Sequence, residues 1–226
     1  MQIKSILLVI IALAAGAQAQ RPKSPEGSSD QQTVTNEDRG RAFIIGREPS
    51  PSSGVVNRGT VILEPQQFSI FLGSGWATPS LREREAELAN LLVNVRDQAM
   101  LNSLNESGVK SLFGPTSTIE RLDDLSGNIS DLAIQKILGA MVTDGSLPRS
   151  GASTIYVVFL DPEMHSTLGE LVAEKHYAAY HNFFNTAGMR LHYVVVPYEA
   201  DRKKANQIAL RALVAAALTP TGAKSQ

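Results

Sequence analysis

The chain contains no cysteine, so a disulfide framework, thiolate metal ligation and a thiol nucleophile are all excluded. The chain has no excess of positive or negative charge, because its 21 Lys and Arg residues nearly balance its 22 Asp and Glu residues, which gives a formal net charge of -1. A dedicated nucleic-acid-binding protein needs clustered positive charge for its phosphate contacts. The one small basic cluster, residues 202–204, is interpreted as the solvated start of a helix, so we expect no nucleic-acid partner.

The N-terminal segment has the pattern of a cleaved secretory signal. Lys4 gives a positive start, residues 6–15 are apolar, and Ala17 and Ala19 form a small-x-small site before Gln20. The apolar run is too short to span a bilayer, no stop-transfer segment follows it, and no cysteine offers a lipid anchor. Residues 1–19 are therefore predicted to be a signal peptide. The mature protein is expected to be secreted, periplasmic or extracellular, with no membrane span.

Three further segments are predicted after the signal. Residues 20–58 are rich in Ser, Pro, Gly and Gln, which bury too little apolar area to offset their ordering entropy, so they are predicted to form a disordered polar leader. The alternative is that Phe43, Ile44 and Ile45 dock as an extra edge strand. Residues 59–222 are predicted to form a single globular domain, and residues 223–226 a short tail.

Hydrophobic periodicity in residues 59–222 predicts an α/β fold: a mixed sheet with helices packed on it and a buried C-terminal helix. Residues 154–160 hardly alternate, which is typical of a central strand covered on both faces. Further strands are predicted at 60–63 and 68–72, and in a hairpin of 177–184 and 190–196 around the loop 185–188. Helices are predicted from Ser80 to about Val95, at 131–143, at 168–175 and at 202–218, the last one buried.

Candidate chemistry is sparse. A four-residue hairpin loop would place His181 directly opposite His192, where two imidazoles could share a metal; the alternative is a stacked or hydrogen-bonded pair. Trp76 is either a packing residue or a platform for ligand stacking. No G-x-S-x-G nucleophile elbow occurs, and Gly73-Ser74-Gly75 is interpreted as a turn because it lacks the pattern of a phosphate loop. No catalytic residue and no cofactor is predicted.

Four segments in order resemble the exordium, or phosphate-induced protein, family of plant walls and its secreted bacterial relatives. They are residues 69–79 (SIFLGSGWATP), residues 131–135 with 145–148 and 155–158, the pair Tyr180-His181 followed by Gly188 and 193–197, and residues 210–220. The family carries a His-Glu-x-x-Glu helix at the last segment. That spacing places two metal-binding side chains on one helix face, with a possible base between them. The resemblance implies a fold broadly similar to zincin-like metal-site folds.

This chain departs from the family at that helix. Arg211, Ala212 and Ala215 stand where the His and the two Glu residues would be, and none of them can bind a cation. Arg211 is expected to be buried and to find an acceptor. We therefore expect a secreted, non-catalytic, exordium-like protein that binds an unknown protein or a cell-wall glycan, with Trp76, Tyr180, His181 and Arg211 as contact candidates. The alternative is a metal-dependent hydrolase using His181 and His192.

Overall fold

The computed structural model of the chain describes residues 42–46, 60–110, 120–122, 125–149, 151 and 153–221. A six-stranded sheet has the order β1-β8-β9-β5-β2-β3, and a three-stranded sheet has the order β4-β6-β7. The strands are β1 Phe43–Ile45, β2 Gln66–Leu72, β3 Glu120–Leu122, β4 Gly127–Ser130, β5 Thr154–Leu160, β6 Met164–Leu168, β7 Leu171–Val172, β8 Ala179–Thr186 and β9 Met189–Val196. The helices are α1 Pro79–Ala89, α2 Gln98–Glu106, α3 Asp131–Asp144 and α4 Arg202–Leu218.

The large sheet is mixed, as predicted. Strands β9, β5, β2 and β3 run parallel, whereas β8 is antiparallel to β9 and β1 is antiparallel to β8. Every residue of β5 is buried, because β2 and β9 flank it and both of its faces are covered. The uninterrupted apolar run at 154–160 therefore marks the sheet centre, as the sequence indicates.

Two apolar cores lie on opposite faces of this sheet. Ile155, Val157 and Phe159 pack on the face covered by α1, α2 and α4. Tyr156 and Val158 pack on the other face, with α3 and the small sheet. The predicted α/β architecture is confirmed, whereas its likeness to zincin-like folds stays a prediction. No helix within the described ranges combines the length and the hydropathy that a membrane span needs.

Two helices begin and end close to the predicted residues because their caps are encoded locally. The Ser130 side chain accepts a hydrogen bond from the Ala133 N–H at the start of α3, and Gly145 adopts the left-handed conformation after its end. Asp201 caps α4 in the same way, accepting from the Lys204 N–H. Helix α4 buries nearly all of its residues from Ile208 onward, as its all-round apolar sequence predicts.

Three predicted elements are wrong. Residues 60–63 form no strand, because the Ile62 N–H donates to the end of α4 at Ala217 and the Leu63 carbonyl accepts from Lys110. The helix predicted at 168–175 is instead the end of β6, the strand β7 and turns, since Gly169 (φ 60°) allows a tight reversal. Helix α1 ends at Ala89 and not near Val95, although Val95 is buried.

Helix α2 was not predicted at all. Its nine residues include only one fully buried apolar side chain, Leu104, so its apolar stripe is weak in the sequence. The start signal is present: the Asp97 side chain accepts a hydrogen bond from the Met100 N–H.

The apolar patch in the predicted leader forms β1, which pairs with β8 at the outer edge of the large sheet. The structure thus matches the alternative in which Phe43–Ile45 dock as an edge strand. The rest of the predicted leader, apart from Ala42 and Gly46, lies outside the described residues, as do the predicted signal peptide and tail. The boundaries 59 and 222 stay predictions.

Candidate functional site

The hairpin of β8 and β9 has a shorter loop than the sequence suggests. Thr186 pairs with Met189, so only Ala187 (φ 47°) and Gly188 (φ 74°) form the turn. Two central residues with positive φ are typical of the turn whose twist matches an antiparallel hairpin. The shorter loop shifts the register by two residues relative to the predicted pairing.

The predicted direct pairing of His181 with His192 is therefore wrong. His181 lies opposite Val194, and His192 lies opposite Phe183. Because His192 and Val194 are two residues apart on one strand, both histidines still share the sheet face that α4 covers. They are diagonal neighbours.

His181 is fully buried. Its ring stacks on Phe43 of β1, with centroids 5.0 Å apart and an interplanar angle of 20°. Its Nε2 lies 3.4 Å from the hydroxyl oxygen of Thr219, which follows α4 and donates to the Ala215 carbonyl. Its Nδ1 has no hydrogen-bond partner among the described residues. Burial, with a smaller effect from His192, lowers the pKa of His181 to about 3, so the ring is neutral at neutral pH.

His192 is held by the segment that follows α4. Its Nδ1 lies 3.1 Å from the Pro220 carbonyl oxygen, and because a carbonyl only accepts, Nδ1–H must be the donor. In the neutral ring Nε2 is then left as the acceptor. Burial lowers the pKa of His192 below its usual value. The hydrogen bond to Pro220 raises this pKa, and the positive charge of Arg190 lowers it, so the net shift is downward.

A cavity of ≈ 940 Å³ opens beside His192, at the amino-terminal ends of β5 and β9. Its walls come from the segments before β2 and before β5, the segments after α2 and after α4, the end of β8 and the start of β9. They include Thr60, Val61, Ile62, Leu63, Glu64, Lys110, Ser153, Asn185, Met189, Arg190, His192 and Pro220. Lys110 and Glu64 are exposed, as is Arg190, whose guanidinium lies 4.7 Å from the Phe183 ring centroid. The cavity therefore combines apolar side chains with charged and amide groups.

The described residues do not offer a metal site. No three His, Asp or Glu side chains in this part of the chain form a group that could hold an ion. Ala212 and Ala215 are buried against the sheet and supply no ligand atom. Arg211, Ala212 and Ala215 thus do not fit a metal, and within the described ranges no carboxylate or third imidazole joins His181 and His192 in such a group.

Arg211 is not buried as predicted. It is partly exposed and makes no hydrogen bond or ion pair with a described residue. Gln207 and Leu210 are also at least partly exposed, and the spacing of 207, 210 and 211 places these three residues on one helix face. Helix α4 therefore leaves one narrow stripe uncovered, and Arg211 lies on it.

At the carboxyl-terminal ends of β2 and β5 a loop is closed by a carboxylate. Open α/β sheets usually bind ligands at this edge. Here Asp161, fully buried, accepts a 2.7 Å hydrogen bond from the Gly75 N–H and a 2.9 Å bond from the Glu163 N–H. The backbone donors that a ligand would use are thus already bound by the protein's own side chain.

Trp76 lies in the same loop and is buried against Phe71, with centroids 4.8 Å apart in an edge arrangement. This position fits the packing alternative and leaves no ring face open for a ligand. Asp161 was not among the predicted site residues, although two sequence signals pointed to it: an acid directly after the central strand and a Gly-x-Gly turn after the neighbouring strand.

A second carboxylate organises the opposite face. Asp131, the first residue of α3, accepts hydrogen bonds at Oδ1 from the hydroxyls of Tyr180 (2.8 Å) and Tyr193 (2.6 Å). Gln135 donates to its Oδ2 at 2.8 Å. Burial and the Asp131 charge raise the pKa of both tyrosines well above 10, so they stay protonated donors. Tyr180, a contact candidate, is fully buried in this cluster.

The histidine geometry predicts a pH dependence of stability. The folded pKa of His181 is about 3 and its ordinary value is 6.5, so the unfolded chain takes up a proton first as the pH falls. The free energy of unfolding should therefore decrease from about pH 6.5 downward, by about 2 kcal/mol at about pH 5 from this residue alone. Urea unfolding of the wild type and His181→Gln at about pH 7.5 and 5 measures the difference. Equal pH slopes for the two proteins would contradict the burial of His181.

No family model, no curated protein and no solved structure matches this chain. The resemblance to the exordium family, which spans residues 59–222, therefore stays a prediction that rests on the residues quoted for it. The function has to be inferred from the chain's own side chains and cavities.

Proposed function

We propose that the protein is a secreted, exordium-like, non-catalytic binding domain of the cell envelope or extracellular space, and that the cavity beside His192 receives a cell-wall glycan. The signal pattern of residues 1–19 supports the location. The observation that carries the binding role is the cavity itself. Its volume of ≈ 940 Å³ lies in the range of pockets that bind small molecules.

The charges on the cavity wall favour an acidic glycan. Among the described residues that line the cavity, Lys110 and Arg190 are cationic and His192 adds a polar ring, whereas Glu64 supplies the one carboxylate. A lysine ammonium and an arginine guanidinium both form strong charge-assisted hydrogen bonds with carboxylates. Asn185, Thr60 and Ser153 supply neutral polar groups for sugar hydroxyls. A uronic-acid oligomer matches this lining better than a neutral sugar.

A titration with galacturonic acid oligomers tests the proposal. Lys110→Ala is expected to weaken binding about tenfold, because a hydrogen bond to a charged group contributes about 1.5–3 kcal/mol and an exposed lysine such as Lys110 lies at the low end of that range. Lys136→Ala is the matched control, because Lys136 is an exposed lysine on α3 that does not line the cavity. If Lys110→Ala and Lys136→Ala weaken binding equally, the cavity is not the binding site. If a neutral N-acetylglucosamine oligomer binds equally well, the ligand is not selected for its acidic groups.

A second measurement, of zinc content and hydrolysis, tests the alternative of a metal-dependent hydrolase around His181 and His192. The shared sheet face of the two histidines is the observation in its favour. The binding proposal expects no stoichiometric zinc in the purified mature chain and no hydrolysis of the oligomer. One tightly bound zinc per chain that His192→Ala removes would favour the hydrolase.

A further inference from the structure

Strand β1 covers the free edge of β8 with only three residues. Phe43 pairs with His181, Ile44 with Tyr180 and Ile45 with Ala179. One further backbone hydrogen bond, from the Ala178 N–H to the Ile45 carbonyl, extends the contact. This is a minimal strand, since strands of globular proteins usually have about five or six residues.

The side chains of β1 alternate between the core and the surface. Ile45 is 5% exposed and joins the core under α4, and Phe43 stacks on His181. Ile44, on the other face, is 40% exposed. The edge of β8 thus accommodates an aromatic residue followed two positions later by an aliphatic one.

The contact also buries a polar atom without a partner. Nδ1 of His181, the residue on which Phe43 stacks, makes no hydrogen bond to any described residue although the side chain is fully buried. When β1 leaves the edge, this nitrogen can form a hydrogen bond with water. That gain reduces the net free energy by which β1 is bound. Strand β1 is therefore held by few backbone hydrogen bonds, and it covers a histidine nitrogen that has no hydrogen-bond partner among the described residues.

We propose that the edge of β8 at residues 179–181 is a strand-binding slot, which β1 fills from within, and that an extended Phe-x-Ile segment of a partner protein replaces β1 in antiparallel pairing. Addition of an extended segment to a sheet edge is a recurrent mode of recognition, in which backbone hydrogen bonds give affinity and alternate side chains give specificity. The chemistry of the partner segment follows from the residues that already fit the slot. Because β1 is tethered, it competes at a high effective concentration, so a partner gains access when β1 is weakened or outcompeted.

The test uses the full chain carrying Phe43→Ala and Ile45→Ala, and a fluorescent peptide of residues 40–48. Saturable binding is expected, with an affinity at least about tenfold higher than for the wild type, whose own strand competes. A peptide with serine at positions 43 and 45 should not bind, and Ile44→Ala, at the exposed position, should behave like the wild type. Hydrogen exchange should become slower at residues 179–181 when the peptide binds.

Two results would overturn the proposal. The first is absence of binding to a variant that circular dichroism shows to be folded; if the double variant does not fold, Phe43→Ala alone serves. The second is a concentration-dependent dimer of the wild type that Phe43→Ala abolishes, which would assign the slot to a second copy of the chain.

Discussion

Gly73→Ala is expected to be among the most destabilising single substitutions in the chain. Gly73 has φ 106° and ψ 151°, a region of backbone space that is open almost only to glycine. A Cβ at this position would also overlap the carboxyl group of Asp161. The backbone strain and the forced displacement of a buried carboxylate together should cost about 2–5 kcal/mol.

Urea unfolding followed by circular dichroism measures this loss. Gly139→Ala is the matched control, because Gly139 lies inside α3 and a Cβ there would meet Thr186 Oγ1 at an ordinary distance of 3.5 Å. In a helix interior the same substitution should stabilise by about 0.5–1 kcal/mol. Equal unfolding midpoints for Gly73→Ala and the wild type would mean that Asp161 does not close the loop as described.

Asp131→Ala is the second substitution with a large expected effect. It removes the acceptor of two buried tyrosine hydroxyls, Tyr180 and Tyr193, and of the Gln135 amide. Each buried donor left without an acceptor costs about 1–3 kcal/mol, so we expect a total loss of about 2–4 kcal/mol, given that Asp131 is only partly buried. Asp131→Asn keeps an acceptor oxygen and should lose less.

A mutant cycle with the two tyrosines separates lost hydrogen bonds from a general disturbance of α3. If the tyrosine donors cause the loss, Asp131→Ala should cost under about 1 kcal/mol in a background that already carries Tyr180→Phe and Tyr193→Phe, since no orphaned hydroxyl remains. A loss of the same size in both backgrounds would show that Asp131 acts on the helix terminus and not through the tyrosines.

The parts of the fold that could be predicted are those whose signals are local. The run at 154–160 is apolar on both faces, α3 has a cap at Ser130, and α4 is apolar on nearly every side from Ile208 onward, so composition and one cap sufficed for these elements. Residues 60–63 have the composition of a strand but pair with no strand in the part of the chain that the structure describes. The wrong prediction of a strand there shows that β-propensity alone does not decide strand pairing, which also depends on tertiary context.

The site was less predictable because it depends on register. A loop of four residues and a loop of two fit the same stretch 185–188, and the choice moves His181 by two positions along β9. Asp131 and Asp161 were missed for a different reason. Their partners Tyr180, Tyr193 and Gly75 lie 49 to 86 residues away in the sequence, so no local pattern connects them.

The chain has four histidines, so few imidazole NMR resonances have to be assigned, and these resonances can test the proposed binding role directly. His192 lines the cavity, whereas His165 and His176 do not. Imidazole NMR resonances of the labelled protein, followed while a galacturonic acid oligomer is added, should shift for His192 in a saturable manner and stay unchanged for His165 and His176. A titration that leaves His192 unchanged at saturating oligomer, or that shifts only the exposed histidines, would contradict the assignment of the cavity as the glycan-binding site.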